Sequence, residues 1–340
     1  MIQLPESLWR LQWRWRCRQY RPRPAPPCIL LYHRIGDTSR DPLRLGVSPE
    51  VFERHLTLIN RFGTALSVEE FSRRIQDGTL PRNAIAVSFD DGYKDNLTVA
   101  APLLQRHQIP AMIFVASGLV EDQTEGGWDV LSEIFFELPP ERTQKEVGFS
   151  VGRESWNFPA FSQPRPISWK IGDSTNDPSV RIFLDWGSRY SRLPSDLQKD
   201  LLRQLRETFG LSTKPRPGRA FMTPSEVAAC LGTGVLSIGA HTRTHPCLSS
   251  LSIDRQRDEI GSSRREIAEW TGRLPELFAY PYGTYTDFGP ATMRAVRDAG
   301  FSFGLANLPA APIRGHRWDI PRVLVGEWDD DEFCRRIGLG

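Results

Sequence analysis

The sequence predicts an α/β fold in which helices and parallel strands alternate and the strands close into a barrel. Short runs of β-branched and other apolar residues recur along the 340-residue chain. Segments with helix-start signals lie between most of these runs, and strands separated by helices indicate a parallel sheet. Polar residues able to carry chemistry follow several runs directly. Because active sites of β/α barrels form at the carboxyl ends of the strands, this placement favours a barrel.

Seven apolar runs are predicted to be strands, and each is short and continuous, as is typical of strands buried on both faces. In chain order they lie at residues 28–32, 84–90, 111–116, 235–239, 277–280, 301–305 and 320–325. The predicted helices share polar N-cap residues or closing glycines, and lie at 48–61, 67–78, 94–107, 223–232, 252–270 and 290–299. Ser67 and Thr223 each precede a glutamate by three positions, the spacing of a capping box.

One region, residues 119–220, interrupts this alternation. It is rich in Trp, Pro and charged residues, and its helical patterns are confined to 128–137 and 196–209. A structureless loop of this length inside a compact domain would be unusual. We therefore predict a mostly helical insertion or lid between two barrel strands.

The first 27 residues are predicted to be a separate basic tail, followed by one catalytic domain at 28–340. Residues 1–24 hold six arginines and one glutamate, a net charge of +5, which leaves −3 for the rest of a chain whose total is +2. The net negative charge of the chain after residue 24 therefore does not indicate a nucleic-acid-binding protein. The Arg/Trp-rich segment 8–16 either lies on a membrane surface or forms a tail that packs on the domain or stays disordered. The prolines at 22–27 favour the second interpretation.

Localisation is predicted from absent signals and from cysteine usage. No stretch approaches the roughly 20 apolar residues that span a bilayer, and the N-terminus lacks the apolar centre of a signal peptide. Five cysteines without paired spacing favour a reducing compartment. We expect a cytoplasmic protein, with peripheral contact at the inner face of the membrane through residues 1–24 as a further expectation. The oligomeric state is left open.

Two adjacent carboxylates, Asp90 and Asp91, end the second predicted strand and are followed by Gly92. Successive strand residues point to opposite faces, so this pair can send its carboxylates in different directions. Two like charges this close cost stability unless a positive group lies beside them. A metal ion bound by one carboxylate is one solution, and two aspartates that cap the next helix are the other.

A second group of candidate ligands follows the predicted strand at 235–239. His241 and His245 are four residues apart, so a single helical turn would put both imidazoles on one side. Catalytic zinc sites use about three nitrogen, sulfur or oxygen ligands from the protein and keep an open position. Asp91 with the two histidines meets that count, which favours a metal site over two unrelated structural histidines.

Three motifs together resemble the polysaccharide deacetylases of carbohydrate esterase family 4. They are Ser-Phe-Asp-Asp-Gly at 88–92, His-Thr-Arg-Thr-His-Pro at 241–246 and Tyr-Pro-Tyr-Gly at 280–283. Tyr-His-Arg at 32–34 resembles the branch that acts on exopolysaccharide N-acetylglucosamine. The resemblance covers about residues 28–118 and 221–326. It implies a distorted (β/α)7-type barrel that hydrolyses the N-acetyl amide of an amino sugar in a polysaccharide or glycan precursor and releases acetate.

The resemblance also implies roles for named residues. Asp91, His241 and His245 would hold a divalent metal, zinc first and cobalt, nickel or iron as alternatives. Asp90 would be the general base. The backbone N–H of Tyr282 would hold the oxyanion, and the Tyr282 ring could wall the acetyl pocket or simply pack on the barrel rim.

Two features depart from the family pattern. An Arg expected shortly before the Pro-Tyr pair is replaced by Phe278-Ala279, so Arg322 could orient Asp90 from another strand, or could instead pair with Asp319. A late Leu-x-x-His that would carry the general acid is missing. His33 is our first candidate for that acid and His316 the second. His55 and His107 are expected on helix surfaces.

Two other functions stay open at this point. One is a catalytically silent carbohydrate-binding barrel, which the missing Arg would explain. The other is a metal-dependent amidohydrolase that acts on a non-sugar amide.

Overall fold

The computed structural model describes residues 27–161, 168–308 and 310–339. Residues 1–26 of the predicted basic tail, which include the whole of its predicted membrane contact at 1–24, lie outside these residues. The strands are β1 (Cys28–Tyr32), β2 (Arg34–Ile35), β3 (Gly46–Val47), β4 (Thr64–Ala65), β5 (Ala84–Asp91), β6 (Ala111–Val115), β7 (Val147–Val151), β8 (Glu154–Phe158), β9 (Leu236–Ala240), β10 (Leu277–Ala279), β11 (Phe303–Asn307) and β12 (Ile320–Leu324).

Seven parallel strands close into a barrel in the order β1-β12-β11-β10-β9-β6-β5, and β5 pairs back to β1. The closing register runs from Cys28 opposite Ile85 to Tyr32 opposite Phe89. The short strand β4 pairs with the first residues of β5. Strands β1, β5 and β6 are buried throughout, as their continuous apolar runs predict. The predicted distorted (β/α)7-type barrel is confirmed.

Helices surround the barrel and connect its strands. They are α1 (Pro49–Phe62), α2 (Val68–Asp77), α3 (Ala101–His107), α4 (Ser117–Asp122), α5 (Gly127–Ser132), α6 (Pro178–Arg192), α7 (Ser195–Phe209), α8 (Pro224–Cys230), α9 (Ile253–Thr271), α10 (Pro290–Asp298) and α11 (Asp330–Ile337). Thr223 and Glu226 form the reciprocal capping box that their spacing predicts. Gly78 ends α2 in the left-handed conformation that glycine adopts without strain.

The insertion between β6 and β9 has a hydrophobic core of its own. It contains helices α5, α6 and α7, and also an antiparallel hairpin, β7–β8, that the sequence analysis does not predict. The hairpin turns at Gly152, whose φ of 61° suits glycine. Its apolar residues alternate along the strands, and Phe149, Val151, Trp156 and Phe158 are buried against the helices. Among the described residues, no helix is both long and apolar enough to cross a bilayer.

His55 is a buried residue, so its expected place on a helix surface is wrong. Its ring stacks on Phe333 of α11 at a centroid distance of 4.0 Å. Its Nε2 lies 2.9 Å from the carbonyl oxygen of Trp328, and its Nδ1 lies 3.2 Å from the hydroxyl of Tyr32. A neutral ring that donates from Nε2 and accepts at Nδ1 satisfies both contacts. His107, the other histidine expected on a surface, is half-buried.

We expect His55 to make folding stability depend on pH. Burial lowers the pKa of His55 from 6.5 to about 4, against the opposing bond to Trp328. As the pH falls below 6.5, the unfolded chain takes up this proton first, so stability is lost until the folded pKa is reached. Between pH 7 and pH 5, wild type should therefore lose roughly 2 kcal/mol of unfolding free energy that a variant without this histidine does not lose. The difference in unfolding free energy between the two proteins should shrink by that amount. Urea unfolding of wild type and His55→Phe at both pH values measures this, and a gap that stays constant would contradict it.

Candidate metal centre and active site

Asp90 and Asp91 reach the same mouth of the barrel by different means. Along β5, Ala84 and Ala86 share one face, and Val87 and Phe89 pack on the other. Alternation puts Asp90 on the first face, towards the barrel interior. Asp91 would point away, but its backbone is left-handed, with a φ of 73°, which breaks the alternation. Consequently both carboxylates approach one imidazole, with His241 Nε2 lying 3.7 Å from Asp90 Oδ2 and 3.6 Å from Asp91 Oδ1.

Asp91, His241 and His245 offer one ligand atom each within 4.8 Å of one another. The shortest separation, between Asp91 Oδ1 and His245 Nε2, is 3.3 Å. Asp91 Oδ1 is buried and has no hydrogen-bond partner among the described residues. His241 Nδ1 lies 2.8 Å from the carbonyl oxygen of Ala279, which fixes the proton on that nitrogen and leaves the Nε2 lone pair facing the other two groups.

The charges of this group favour a cation at its centre. Burial, together with Asp90 and Asp129, raises the pKa of Asp91 well above its ordinary value. Burial also lowers the pKa of His241 and, more strongly, of His245, so both rings are neutral and their lone pairs are available. Two neutral imidazoles and one carboxylate with an unsatisfied oxygen form a donor set that suits a divalent metal ion.

The two histidines share one side because of a tight loop between β9 and α9, and not because of the helical turn that their spacing suggests. Thr242 and His245 both have left-handed backbones, with φ of 62° and 60°. The Thr242 hydroxyl accepts a bond of 3.0 Å from the backbone N–H of His245. Non-glycine residues in this conformation are strained, and such residues cluster at functional sites.

Arg322 binds Asp90 from inside the barrel. The two guanidinium nitrogens lie 2.6 and 2.8 Å from the two carboxylate oxygens, and the Arg322 side chain is fully buried. Burial alone would raise the pKa of Asp90, but the charge and hydrogen bonds of Arg322 hold it at about 2. Asp319, the alternative partner considered for Arg322, accepts from His316 instead. β12 thus supplies the cation that the sequence before Pro281 lacks.

Tyr282 lies beside the second histidine. Its ring centroid is 4.8 Å from that of His245. Its φ is 60°, and no described carbonyl or side chain accepts from its backbone N–H. The next residue, Gly283, is also left-handed, and a Cβ there would come within 2.6 Å of the Asn307 nitrogen. This turn therefore requires glycine and leaves an amide donor available near the site.

The two candidate acids lie at opposite ends of the barrel. His33 follows β1 at the mouth and is half-buried, and its Nδ1 has no partner in the described part of the chain. Burial lowers the pKa of His33 to about 4, although Asp90 opposes this shift. His316 comes just before the amino end of β12, where its Nδ1 lies 3.2 Å from Asp319. The carboxyl ends of the strands carry the site, so His316 lies away from it.

The insertion also reaches the site, through residues that the sequence analysis missed. Trp128 of α5 packs against His245 with ring centroids 4.7 Å apart. Its indole N–H donates to the Tyr93 hydroxyl (2.8 Å), which donates to Asp129 (2.8 Å). Asp129 in turn pairs with the buried Arg34 at 3.0 Å. The Arg of the Tyr-His-Arg motif therefore anchors the insertion beside the candidate metal centre.

The chain resembles known proteins in both sequence and fold. The sequence profile of the polysaccharide deacetylase family matches residues 77–168 and 203–304, more than half of the chain. A putative polysaccharide deacetylase of Bacillus subtilis, YxkH, is 34% identical over 95 residues, which cover 27% of this chain and 33% of the relative. The match thus spans only about a third of that relative's length.

Solved structures extend the likeness to nearly the whole fold. A de-N-acetylase from Aggregatibacter actinomycetemcomitans has 15% identity and a TM-score of 0.54, covering 90% of this chain and 98% of its own. IcaB from Ammonifex degensii has 17% identity and a TM-score of 0.53, with coverage of 92% and 95%. Streptococcus pyogenes deacetylase PplD, solved with acetate, has 18% identity and a TM-score of 0.50, with coverage of 89% and 94%. The structural similarity establishes a shared fold, and at identities this low it establishes the fold alone.

Proposed function

The chain belongs to the polysaccharide deacetylase family, and we propose that it is a metal-dependent hydrolase that removes N-acetyl groups from amino sugars of a polysaccharide or glycan precursor. The observation that carries this proposal is the convergence of Asp91, His241 and His245 next to Asp90. Asp91, His241 and His245 would supply the metal ligands. Asp90 is a carboxylate outside that ligand set, because Arg322 binds it.

The metal would be held by Asp91 Oδ1 and by the Nε2 atoms of His241 and His245. This set of two nitrogens and one oxygen is typical of catalytic zinc, with cobalt, nickel and iron as alternatives. When bound, such a cation polarises the amide carbonyl and lowers the pKa of water.

Asp90 is the proposed general base. Its low pKa keeps it ionised near neutral pH, and its bidentate bond to Arg322 fixes its direction. Each carboxylate oxygen keeps a second lone pair, so Asp90 can still accept a proton from the attacking water. In this role Arg322 orients Asp90 and does not touch the substrate.

Tyr282 and His33 are proposed to complete the reaction. The Tyr282 N–H has no acceptor among the described residues and can donate to the oxyanion that forms as water adds to the acetyl carbon. Breaking the C–N bond then requires a proton on the leaving nitrogen. Since His33 is neutral near pH 7, it must gain a proton during the reaction before it gives one up, and the proton taken by Asp90 is a suitable source.

We expect His33→Ala to lower kcat by about 100-fold or more, and His316→Ala to leave it within about twofold. The reason is their placement at opposite ends of the barrel. Steady-state acetate release by the two variants, with wild type in parallel, measures the difference. Equal effects would rule out His33 as the acid, and a larger loss in His316→Ala would reverse the assignment.

Acetate release from a panel of substrates tests the function itself. The panel contains oligomers of N-acetylglucosamine, N-acetylated polysaccharides and non-sugar acetamides, each with zinc and with a chelator. The proposal predicts release from amino-sugar substrates that stops with chelation. Release from non-sugar acetamides alone would identify a different amidohydrolase. Binding of sugar without release would identify a silent barrel, although the Arg322–Asp90 pair removes the main reason for that alternative.

A further inference from the structure

The loop that carries both candidate histidine ligands is held from behind by one carboxylate, Glu259 on α9. Glu259 Oε2 accepts from the backbone N–H groups of Arg243 and Thr244, at 2.9 and 2.8 Å. Glu259 Oε1 accepts from the Thr244 hydroxyl at 2.6 Å. Three donors between His241 and His245 therefore converge on a single side chain.

This support matters because the loop has no regular secondary structure to fix its shape. Its left-handed residues, Thr242 and His245, are strained and persist only where surrounding contacts impose them. On one side of the loop, backbone N–H groups of α4 bind its carbonyl oxygens. Gly118 N–H donates to Arg243 O at 2.7 Å, and Ser117 N–H donates to Thr242 O at 3.2 Å. Glu259 accepts the hydrogen bonds of the backbone amides at the centre of the loop.

We propose that Glu259 is a positioning residue for the metal centre, an inference that rests on the proposed metal dependence. Glu259 touches neither Asp91 nor the imidazoles among its described bonds, so it acts through the backbone between them. By fixing the amides of Arg243 and Thr244, it sets the separation and direction of the two Nε2 atoms. Residues that orient ligands in this way typically change metal affinity by about 10- to 100-fold when removed.

The test compares variants of two glutamates on the same helix. Glu266 is the matched control, because it binds the same loop residue through the Arg243 side chain (2.6 Å) and also the Ser117 hydroxyl (2.6 Å), but no loop amide. Zinc affinity is measured by competition with a chromophoric chelator, and the geometry of the site by the visible spectrum of the Co²⁺ form. Both readouts are independent of turnover.

We expect Glu259→Ala to weaken zinc binding by about 10- to 100-fold and to alter the Co²⁺ spectrum. Glu259→Gln, which keeps one acceptor oxygen, should lose less, and Glu266→Gln should match wild type. If Glu259→Ala does not fold, the comparison of Glu259→Gln with Glu266→Gln decides. Wild-type zinc affinity and spectrum in the Glu259 variants would overturn the inference and leave the proposed function intact. Tight zinc binding by wild type without acetate release would overturn only the function, and no zinc binding by wild type would overturn both.

Discussion

His241→Ala and His245→Ala are each expected to abolish stoichiometric zinc binding and, with it, acetate release. Each variant removes one of the three proposed metal ligands and leaves only Asp91 and a single imidazole of that group to hold the cation. The loss of affinity should exceed the roughly 10- to 100-fold seen when only a supporting residue is removed. Metal content after dialysis against a weak chelator, measured together with acetate release, gives both quantities on the same sample.

His107→Ala is the matched control for these two variants. It removes an imidazole from the end of α3, where Nε2 lies 3.6 Å from Glu53, and should keep full metal content and activity. Full metal occupancy in both His241→Ala and His245→Ala would show that the metal site is misplaced. The barrel would stand in that case, because its strand register does not depend on these side chains.

The parts of the fold that the sequence predicted best are those decided by local pattern. Strand β1 runs from Cys28 to Tyr32 as its uninterrupted apolar run indicates, because such a run is compatible only with a buried element. The capping box at Thr223 is likewise a property of four successive residues. The residue types of Asp91, His241 and His245 and their places after strands also predicted that these three side chains converge, and their candidate ligand atoms lie within 4.8 Å of one another.

The parts that could not be predicted depend on contacts between distant residues. The loop with the left-handed residues Thr242 and His245 is held by Ser117, whose N–H donates to Thr242, and by Glu259, which accepts from the amide between them at Thr244; the loop sequence reveals neither contact. Trp128 lies at the site on a helix that the Asp129–Arg34 pair helps to anchor, and the members of that pair are 95 positions apart. The sequence pattern predicts a polar surface position for His55 on an amphipathic helix. In the structure its ring is buried against Phe333, which lies near the other end of the chain.

Asp90→Asn is expected to lower kcat by about 100- to 10,000-fold while zinc binding stays within a few fold of wild type. The amide cannot accept a proton from water, yet it keeps the size of the carboxylate and one acceptor for Arg322. Asp91, His241 and His245 are untouched, so the proposed ligand set remains. Circular dichroism confirms folding, since a buried Arg322 that loses its ionic partner destabilises the protein. A variant that retained more than about a tenth of wild-type kcat would contradict the assignment of Asp90 as general base.

A double-mutant cycle with Arg322→Gln then shows how Arg322 acts. If Arg322 only orients Asp90, Arg322→Gln should lower kcat in the wild-type background and add little in the Asp90→Asn background, because there is no base left to orient. The double variant should also be more stable than Asp90→Asn, since it removes the unpaired buried guanidinium. Losses in kcat that multiply across the two positions would instead show that Arg322 acts independently of Asp90. The bidentate bonds of 2.6 and 2.8 Å between the two side chains predict strong coupling.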